Sequence, residues 1–196
     1  AMAEIIGAYA LTDQTAGSDA QGITATATLS ADGAAYILNG EKQWITNAGF
    51  ADIFTVFAKV DGDPKKITAF LVEAGSPGFT IGSEEHKIGI IGSSTCPLTF
   101  TDLRVPKEKV LGNIGDGFSI AMNILNVGRF KLAAGCVGGA KVLLASAALY
   151  AKDRKAFGKS IAGFGLIRQK IARMARTIWL CEGMVYRTAD MLEQSM

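Results

Sequence analysis

Ala10-Leu11-Thr12-Asp13-Gln14-Thr15-Ala16-Gly17-Ser18-Asp19 and, one strand pair later, Gly40-Glu41-Lys42-Gln43-Trp44-Ile45-Thr46-Asn47 decide the reading of this chain. The first stretch offers small residues, hydroxyls and backbone amides, a composition that suits an anionic group held in a concave loop. The second places an indole two residues from a hydroxyl on what reads as an extended strand, so that both side chains share one face. Working outward, Ala25–Leu29 and Tyr36–Asn39 flank Ala31-Asp32-Gly33, a hairpin signal with a glycine free to take positive φ. Ile53–Val60 and Ile67–Val72 are β-branched and aromatic, with Asp61-Gly62-Asp63-Pro64 between them, and read as a second hairpin. Further strands are expected around Gly78–Ile81, Lys87–Ile91 and Pro97–Phe100. That many short strands points to an antiparallel β-barrel.

Beyond Pro106 the period changes. Phe118, Met122, Leu125, Arg129, Leu132, Cys136, Ala140, Leu143, Ala147 and Tyr150 recur at steps of three and four, the spacing of one helical stripe. Gly128, Gly135, Gly138 and Gly139 interrupt it, each weakening a helix by about 1 kcal/mol relative to Ala, so close approach of another helix or a ligand is expected there. After a glycine-rich break at 158–165, the stripe Ile167, Ile171, Met174, Ile178, Cys181, Val185, Thr188 and Leu192 predicts a second long helix. The expected fold class is α+β, with a β-barrel domain over 1–112 and, over 113–196, two long antiparallel amphipathic helices that form part of a helical bundle. Apolar stripes left over on two helices predict self-association.

Composition excludes several functions. Half of the 196 residues are hydrophobic, and at this length folding buries roughly 70% of the unfolded surface. No uninterrupted apolar run approaches the about 20 residues that cross a bilayer, so no membrane span is expected. Basic residues exceed acidic ones by two and are scattered, which argues against nucleic acid. Three widely spaced cysteines fit neither a disulfide framework nor a zinc site and suit a reducing, cytosol-like compartment. No export signal opens the chain, and Ala1-Met2 reads as an addition before the native start. The lone histidine, His86, sits in a Glu-Glu-His-Lys turn and forms no triad; no acid cluster has metal spacing, and no glycine fingerprint marks a nicotinamide fold. The chemistry must come from a cofactor, and an indole beside a hydroxyl and an anion-binding loop suits a flavin.

With these residues in view, the chain resembles the acyl-CoA dehydrogenase family from about Glu4 onward. The family's Tyr-x-Leu/Val-Thr-Glu-Pro-x-Ala-Gly-Ser-Asp is similar to Tyr9–Asp19, with Asp13 in place of Glu and Gln14 in place of Pro. Losing the proline frees a locked φ and adds a backbone amide, so a softer turn is expected. Gly-x-Lys-x-Trp-Ile-Thr-Asn is matched by Gly40, Lys42, Trp44, Ile45, Thr46 and Asn47. Lys87–Cys96 resembles a third signature, with Ile91 where a basic residue is common. Asn123–Phe130 and Phe164–Ile167 resemble the very-long-chain branch.

The resemblance implies FAD lined by Tyr9, Leu11, Thr12, Gly17, Ser18, Trp44, Ile45 and Thr46, with Trp44 beside the isoalloxazine and Thr46 bonding N5. Ser18 meets the pyrophosphate and substrate side, Asn126 and Arg129 face acyl-CoA, and Arg154 and Phe157 reach the FAD of a neighbouring subunit. It also implies an electron-transferring flavoprotein as partner, a homo-oligomer, and a location in the cytoplasm, or in the mitochondrial matrix of a eukaryote. The family's reaction removes an α-proton with a glutamate and a β-hydride with the flavin, part of fatty acid β-oxidation. In a minority of branches that glutamate lies where this chain has Gly128, and otherwise it lies downstream of Met196, so no catalytic residue is expected here and the chain alone is expected to be inactive. A silent flavin- or CoA-binding assembly module and acyl-CoA oxidase-like chemistry are the alternatives.

Overall fold

A computed structural model describes residues 4–194; the Ala1-Met2 reading lies outside them. In chain order the elements are β1 (Gly7–Ala10), β2 (Thr26–Leu29), β3 (Ala35–Thr46), β4 (Ile53–Val60), β5 (Ile67–Glu73), β6 (Phe79–Ile81), β7 (Thr95–Pro106), β8 (Val110–Leu111), α1 (Gly117–Asp153), β9 (Lys155–Ala156), β10 (Lys159–Ser160) and α2 (Gly165–Gln194). They fall into two compact units, dividing between Asn123 and Ile124.

The first unit is built on one eight-stranded sheet, ordered β6-β7-β3-β2-β4-β5-β8, with β1 also on β4. Both hairpins expected from sequence form. Thr26 pairs with Asn39 and Leu29 with Tyr36 across the first, and Ile53 pairs with Glu73 and Lys59 with Ile67 across the second. The turns use the positive φ that their residues tolerate: Gly33 at 67°, Asp61 at 54° and Gly62 at 72°.

The expectation of an antiparallel barrel is corrected on two counts. The sheet is open, since its end strands β6 and β8, of three and two residues, each pair on one side only. It is also mixed: β1 runs parallel to β4 over 53–56, and β2 runs parallel to β4 over 59–60. Both pairings arise because the β2–β3 hairpin lies between β1 and β4 in the chain, so strands distant in sequence share one edge of β4. The strand expected at Lys87–Ile91 is absent: this stretch pairs with nothing in the sheet, Ile88, Ile90 and Ile91 are exposed, and Ile90 takes φ 55°. A β-branched run makes a strand only where there is a neighbour to pack against.

The core contains Leu38, Phe54, Val56, Phe70, Leu98 and Leu103, all at most 1% exposed. Phe79 bridges Phe54 and Phe100 at 4.8 and 5.5 Å between ring centroids. Burying such side chains is the main stabilising contribution, roughly 1.5–3 kcal/mol each.

The second unit holds most of α1 and all of α2, antiparallel, as the Lys141–Glu182 ion pair and the facing residues Asn126/Leu192 and Leu143/Met174 show. Two expectations about α1 change. It is not amphipathic: Ile124, Val127, Leu132, Val142, Leu143, Leu149 and Tyr150 are exposed on several sides. Its glycines are not approached either, since a Cβ added at Gly128, Gly135, Gly138 or Gly139 meets nothing within 4 Å among the described residues. By length and composition α1 could cross a bilayer, a property it shares with core helices of soluble proteins. Lys131 and Lys141 divide the helix, so it carries no long uninterrupted apolar run.

Candidate functional site

The two signature stretches are brought together by β3 and by the loop between β1 and β2. The backbone N–H of Gln43 donates to the carbonyl of Thr12 at 2.8 Å, one residue before Trp44. Beside it the ammonium of Lys42, fully buried, donates to the carbonyl of Leu11 at 2.9 Å and to Oδ1 of Asp13 at 2.5 Å. The other carboxylate oxygen of Asp13 accepts from the N–H and hydroxyl of Thr24 and from the N–H of Ala25. Asp13 thus closes the neck of the 14–23 loop and neutralises a lysine that could not otherwise be buried. Burial pulls the Lys42 pKa below the ordinary lysine value, and the Asp13 carboxylate opposes that shift.

Sequence reasoning counted Lys42 only as a signature position and Asp13 only as a departure. An acid in a loop and a lysine placed inward on an alternating strand are the signal that pairs them. The softer turn expected from Gln14 is offset by a hydrogen bond of 2.6 Å from its amide to Glu41, on the exposed side.

Trp44 sits where the β3–β7 register slips between Lys42 and Ile45. Its φ is 60°, so the extended conformation expected there is replaced by a left-handed one, and the bulge turns the indole outward, 57% exposed. A second slip falls between Leu38 and Gly40, where only glycine fits: a Cβ on Gly40 would lie 2.8 Å from the Cα of Ala25. Left-handed non-glycine residues cost of order 1–3 kcal/mol and cluster at functional sites.

Thr46 and Ser18 are exposed and Thr12 is half-buried, and the hydroxyls of all three make no hydrogen bond among the described residues. Gly17 is exposed, with open space where a side chain would stand. Leu11 and Ile45 are buried, so their side chains pack the core and only their backbones face the loop and strand. Tyr9 is half-buried, its ring 5.1 Å from Phe57 and its hydroxyl 3.4 Å from the carbonyl of Ala121; burial pushes its pKa up to about 12.

In the second unit, Arg129 donates to Asn126 Oδ1 at 2.9 Å, and both line an apolar groove of about 740 Å³ between α1 and α2. Cys136 and Cys181 line the same groove as free thiols. Arg154 and Phe157 belong to the β9–β10 hairpin. Phe157 (φ 52°) and Gly158 (φ 76°) form its two-residue turn, which leaves the Phe157 ring 94% exposed. The guanidinium of Arg154 has no partner among the described residues. No cluster of metal-ligating side chains occurs among the described residues.

A flavin fits the residues present in the first unit: an outward indole in a strained bulge, hydroxyls without partners, and a loop with room for a bulky group, its neck held rigid from below. The comparisons agree with that chemistry. Residues 8–103 match the acyl-CoA dehydrogenase middle domain and residues 115–195 the acyl-CoA dehydrogenase C-terminal domain. A probable acyl-CoA dehydrogenase of Bacillus subtilis is 51% identical over 196 residues, covering 100% of this chain and 33% of the relative. The human mitochondrial very-long-chain-specific acyl-CoA dehydrogenase is 45% identical, covering 99% and 31%. An acyl-CoA dehydrogenase of Bacillus anthracis complexed with FAD superposes with TM-score 0.88 at 50% identity, over 95% of this chain and 32% of that one. Butyryl-CoA dehydrogenase of Megasphaera elsdenii superposes with TM-score 0.89 at 44% identity, over 97% and 50%. The chain therefore spans about a third of the length of these two sequence relatives. Signatures, fold and relatives agree that the chain belongs to the acyl-CoA dehydrogenase family.

Proposed function

We propose that this chain is the flavin-bearing part of an FAD-dependent acyl-CoA dehydrogenase that converts an acyl-CoA thioester to its trans-2-enoyl product. The observation that carries this reading is the Trp44 bulge, with an exposed indole and an unpaired Thr46 hydroxyl beside a loop pinned through Thr12. FAD, when bound, supplies the acceptor for the substrate's β-hydride.

The chain's own residues bind and orient. The Trp44 face shields the ring from water, Thr46 donates a hydrogen bond to its edge, and Thr12, Gly17 and Ser18 offer hydroxyls and amides to the cofactor. Asn126 and Arg129 face the acyl-CoA, with the guanidinium held in place by the asparagine. Exposed Arg154, at the base of the β9–β10 hairpin, and exposed Phe157, at its tip, reach the FAD of a second subunit, which makes the assembly a homo-oligomer. In this reading α1 is a packing helix of the helical domain and not a membrane span. Electrons pass on to an electron-transferring flavoprotein, in the cytoplasm or, in a eukaryote, the mitochondrial matrix.

The glutamate that abstracts the α-proton is not supplied by this chain: at the position on α1 where some members carry it stands Gly128, which has no group to accept a proton. The chain by itself binds the cofactor and does not turn over acyl-CoA. That same glycine favours a second reading, a silent flavin- or CoA-binding module.

The test is a visible absorption spectrum of the purified chain with added FAD, beside Trp44→Ala and Thr46→Ala. A bound flavin band in the wild type, weakened in both variants, is expected; free-flavin spectra throughout refute the proposal. Acyl-CoA-dependent dye reduction by the protein with its downstream glutamate present separates dehydrogenase from silent module, and peroxide yield identifies an oxidase.

A further inference from the structure

The turn that follows Thr46 is held by a carboxylate that neither signature contains. Asn47, at φ 67°, donates its N–H to the carbonyl of Ser94 at 3.0 Å, and the N–H of Gly49 donates to Ser94 Oγ at 2.9 Å. Ser94 in turn donates its hydroxyl to Glu84 Oε1 at 2.5 Å, while Glu84 Oε2 accepts the N–H of Thr95 at 2.8 Å. Thr95 is the register partner of Thr46 across β3 and β7. One carboxylate therefore fixes the serine that orders the turn and the residue opposite Thr46. The fit is close: a Cβ on Gly49 would stand 2.5 Å from Glu84 Oε1 and 2.7 Å from Ser94 Oγ, although the Gly49 backbone would otherwise accept a side chain. Glycine is there to admit the carboxylate. Its hydrogen bonds from Ser94 and Thr95 hold the Glu84 carboxyl below the usual range, so the charged acceptor persists at neutral pH.

We propose that Glu84, acting through Ser94 and made possible by Gly49, is a positioning residue that sets where the Thr46 hydroxyl meets the flavin edge. This rests on the FAD reading given above. A latch that only held the fold would have no reason to join the turn after Thr46 to the residue paired with it. Two hydrogen bonds to one carboxylate fix Ser94 and Thr95, and Ser94 in turn holds Asn47 and Gly49, which follow the hydroxyl-bearing Thr46.

The experiment compares the chain with Glu84→Gln, Ser94→Ala and Gly49→Ala, measuring FAD affinity, the position and fine structure of the visible bands, and the midpoint potential. Far-UV circular dichroism checks each fold. In Glu84→Gln the amide cannot accept from both Ser94 and Thr95. Each variant is expected to lose about tenfold in FAD affinity, about 1.4 kcal/mol, and to shift the bands and the potential in the same direction. Gly49→Ala combined with Glu84→Ala is expected to lose less than the sum of the two changes, because the added methyl then takes the space that the carboxylate left and meets only Ser94 Oγ, which is free to turn away once it no longer donates to Glu84. Wild-type affinity, bands and potential in all three single variants overturn the positioning role while leaving the FAD reading intact. A wild-type chain that binds no FAD overturns both. A variant that fails to fold is replaced by the Gly49→Ala/Glu84→Ala pair, whose additivity would equally refute the latch.

Discussion

Asn at position 13 is the most demanding perturbation of this fold. Lys42 is 0% and the Asp13 side chain 2% exposed, their charges 2.5 Å apart, and no other carboxylate bonds that ammonium among the described residues. Asp13→Asn keeps the volume and the bonds toward Thr24 and Ala25 while leaving the lysine charge without its counter-charge. Removing one partner of a buried pair costs about 3–5 kcal/mol, a fifth or more of the about 5–15 kcal/mol that holds an ordinary domain together. The cost depends on pH. Burial sets the folded-state pKa of Lys42 below its unfolded value, so between the two the unfolded chain binds more protons and stability rises with pH. Without Asp13, whose charge raises that pKa, the window extends to lower pH. The Asp13→Asn variant is therefore expected to regain stability on going from pH 7 to pH 9.5 more steeply than the wild type. Urea unfolding followed by circular dichroism at both pH values reads this directly. A loss under about 1 kcal/mol at pH 7, or one independent of pH, would show that the pair does not carry the neck of the loop. A Lys42→Met/Asp13→Asn double variant is expected to lose less than Asp13→Asn alone, because the asparagine still accepts from Thr24 and Ala25 and no buried charge is left behind.

The remaining expectations concern other parts of the chain. Gly135→Ala and Gly138→Ala should each stabilise the chain by about 0.5–1 kcal/mol in thermal unfolding, since none of the described residues approaches either position; destabilisation would reveal a packing partner. Tyr9 should titrate near pH 12 in ultraviolet difference spectra, and because its folded pKa lies above the unfolded one, it should contribute stability that is lost as pH rises from about 10 to 12. A titration midpoint at the unperturbed value would contradict its burial. Phe157→Asn should stabilise the β9–β10 hairpin by about 1 kcal/mol, since asparagine tolerates the left-handed turn, while weakening FAD binding if the exposed ring reaches a cofactor. Stabilisation with unchanged FAD affinity would assign the ring no role there.

Local chemistry was legible in the sequence, and long-range pairing was not. Gly33 and the Asp61-Gly62 turn announced the two hairpins because left-handed backbone leaves a compositional mark. Trp44 and Thr46 stood out as a pair, but the bulge that turns the indole outward arises from a slip against β7, more than fifty residues away, which no local pattern encodes. The parallel placing of β1 and β2 on one edge of β4 hid for the same reason. Ile88-Gly89-Ile90-Ile91 carried strand propensity without a partner strand. In α1, an apolar stripe was picked from a helix that is apolar on most sides, so the spacing found one face where several exist. The Asp13–Lys42 and Glu84–Ser94 contacts join residues 29 and 10 positions apart.

Since Asp13 and Thr24 tie the two ends of one excursion, and β4 carries the strands on either side of it, strand register does not depend on the exposed middle of that loop, residues 17–19. Their length and composition can drift, or be exchanged for those of another protein, without altering strand register. Such an arrangement lets one scaffold acquire a different ligand preference by rewriting a single short insert, while the platform beneath keeps its shape.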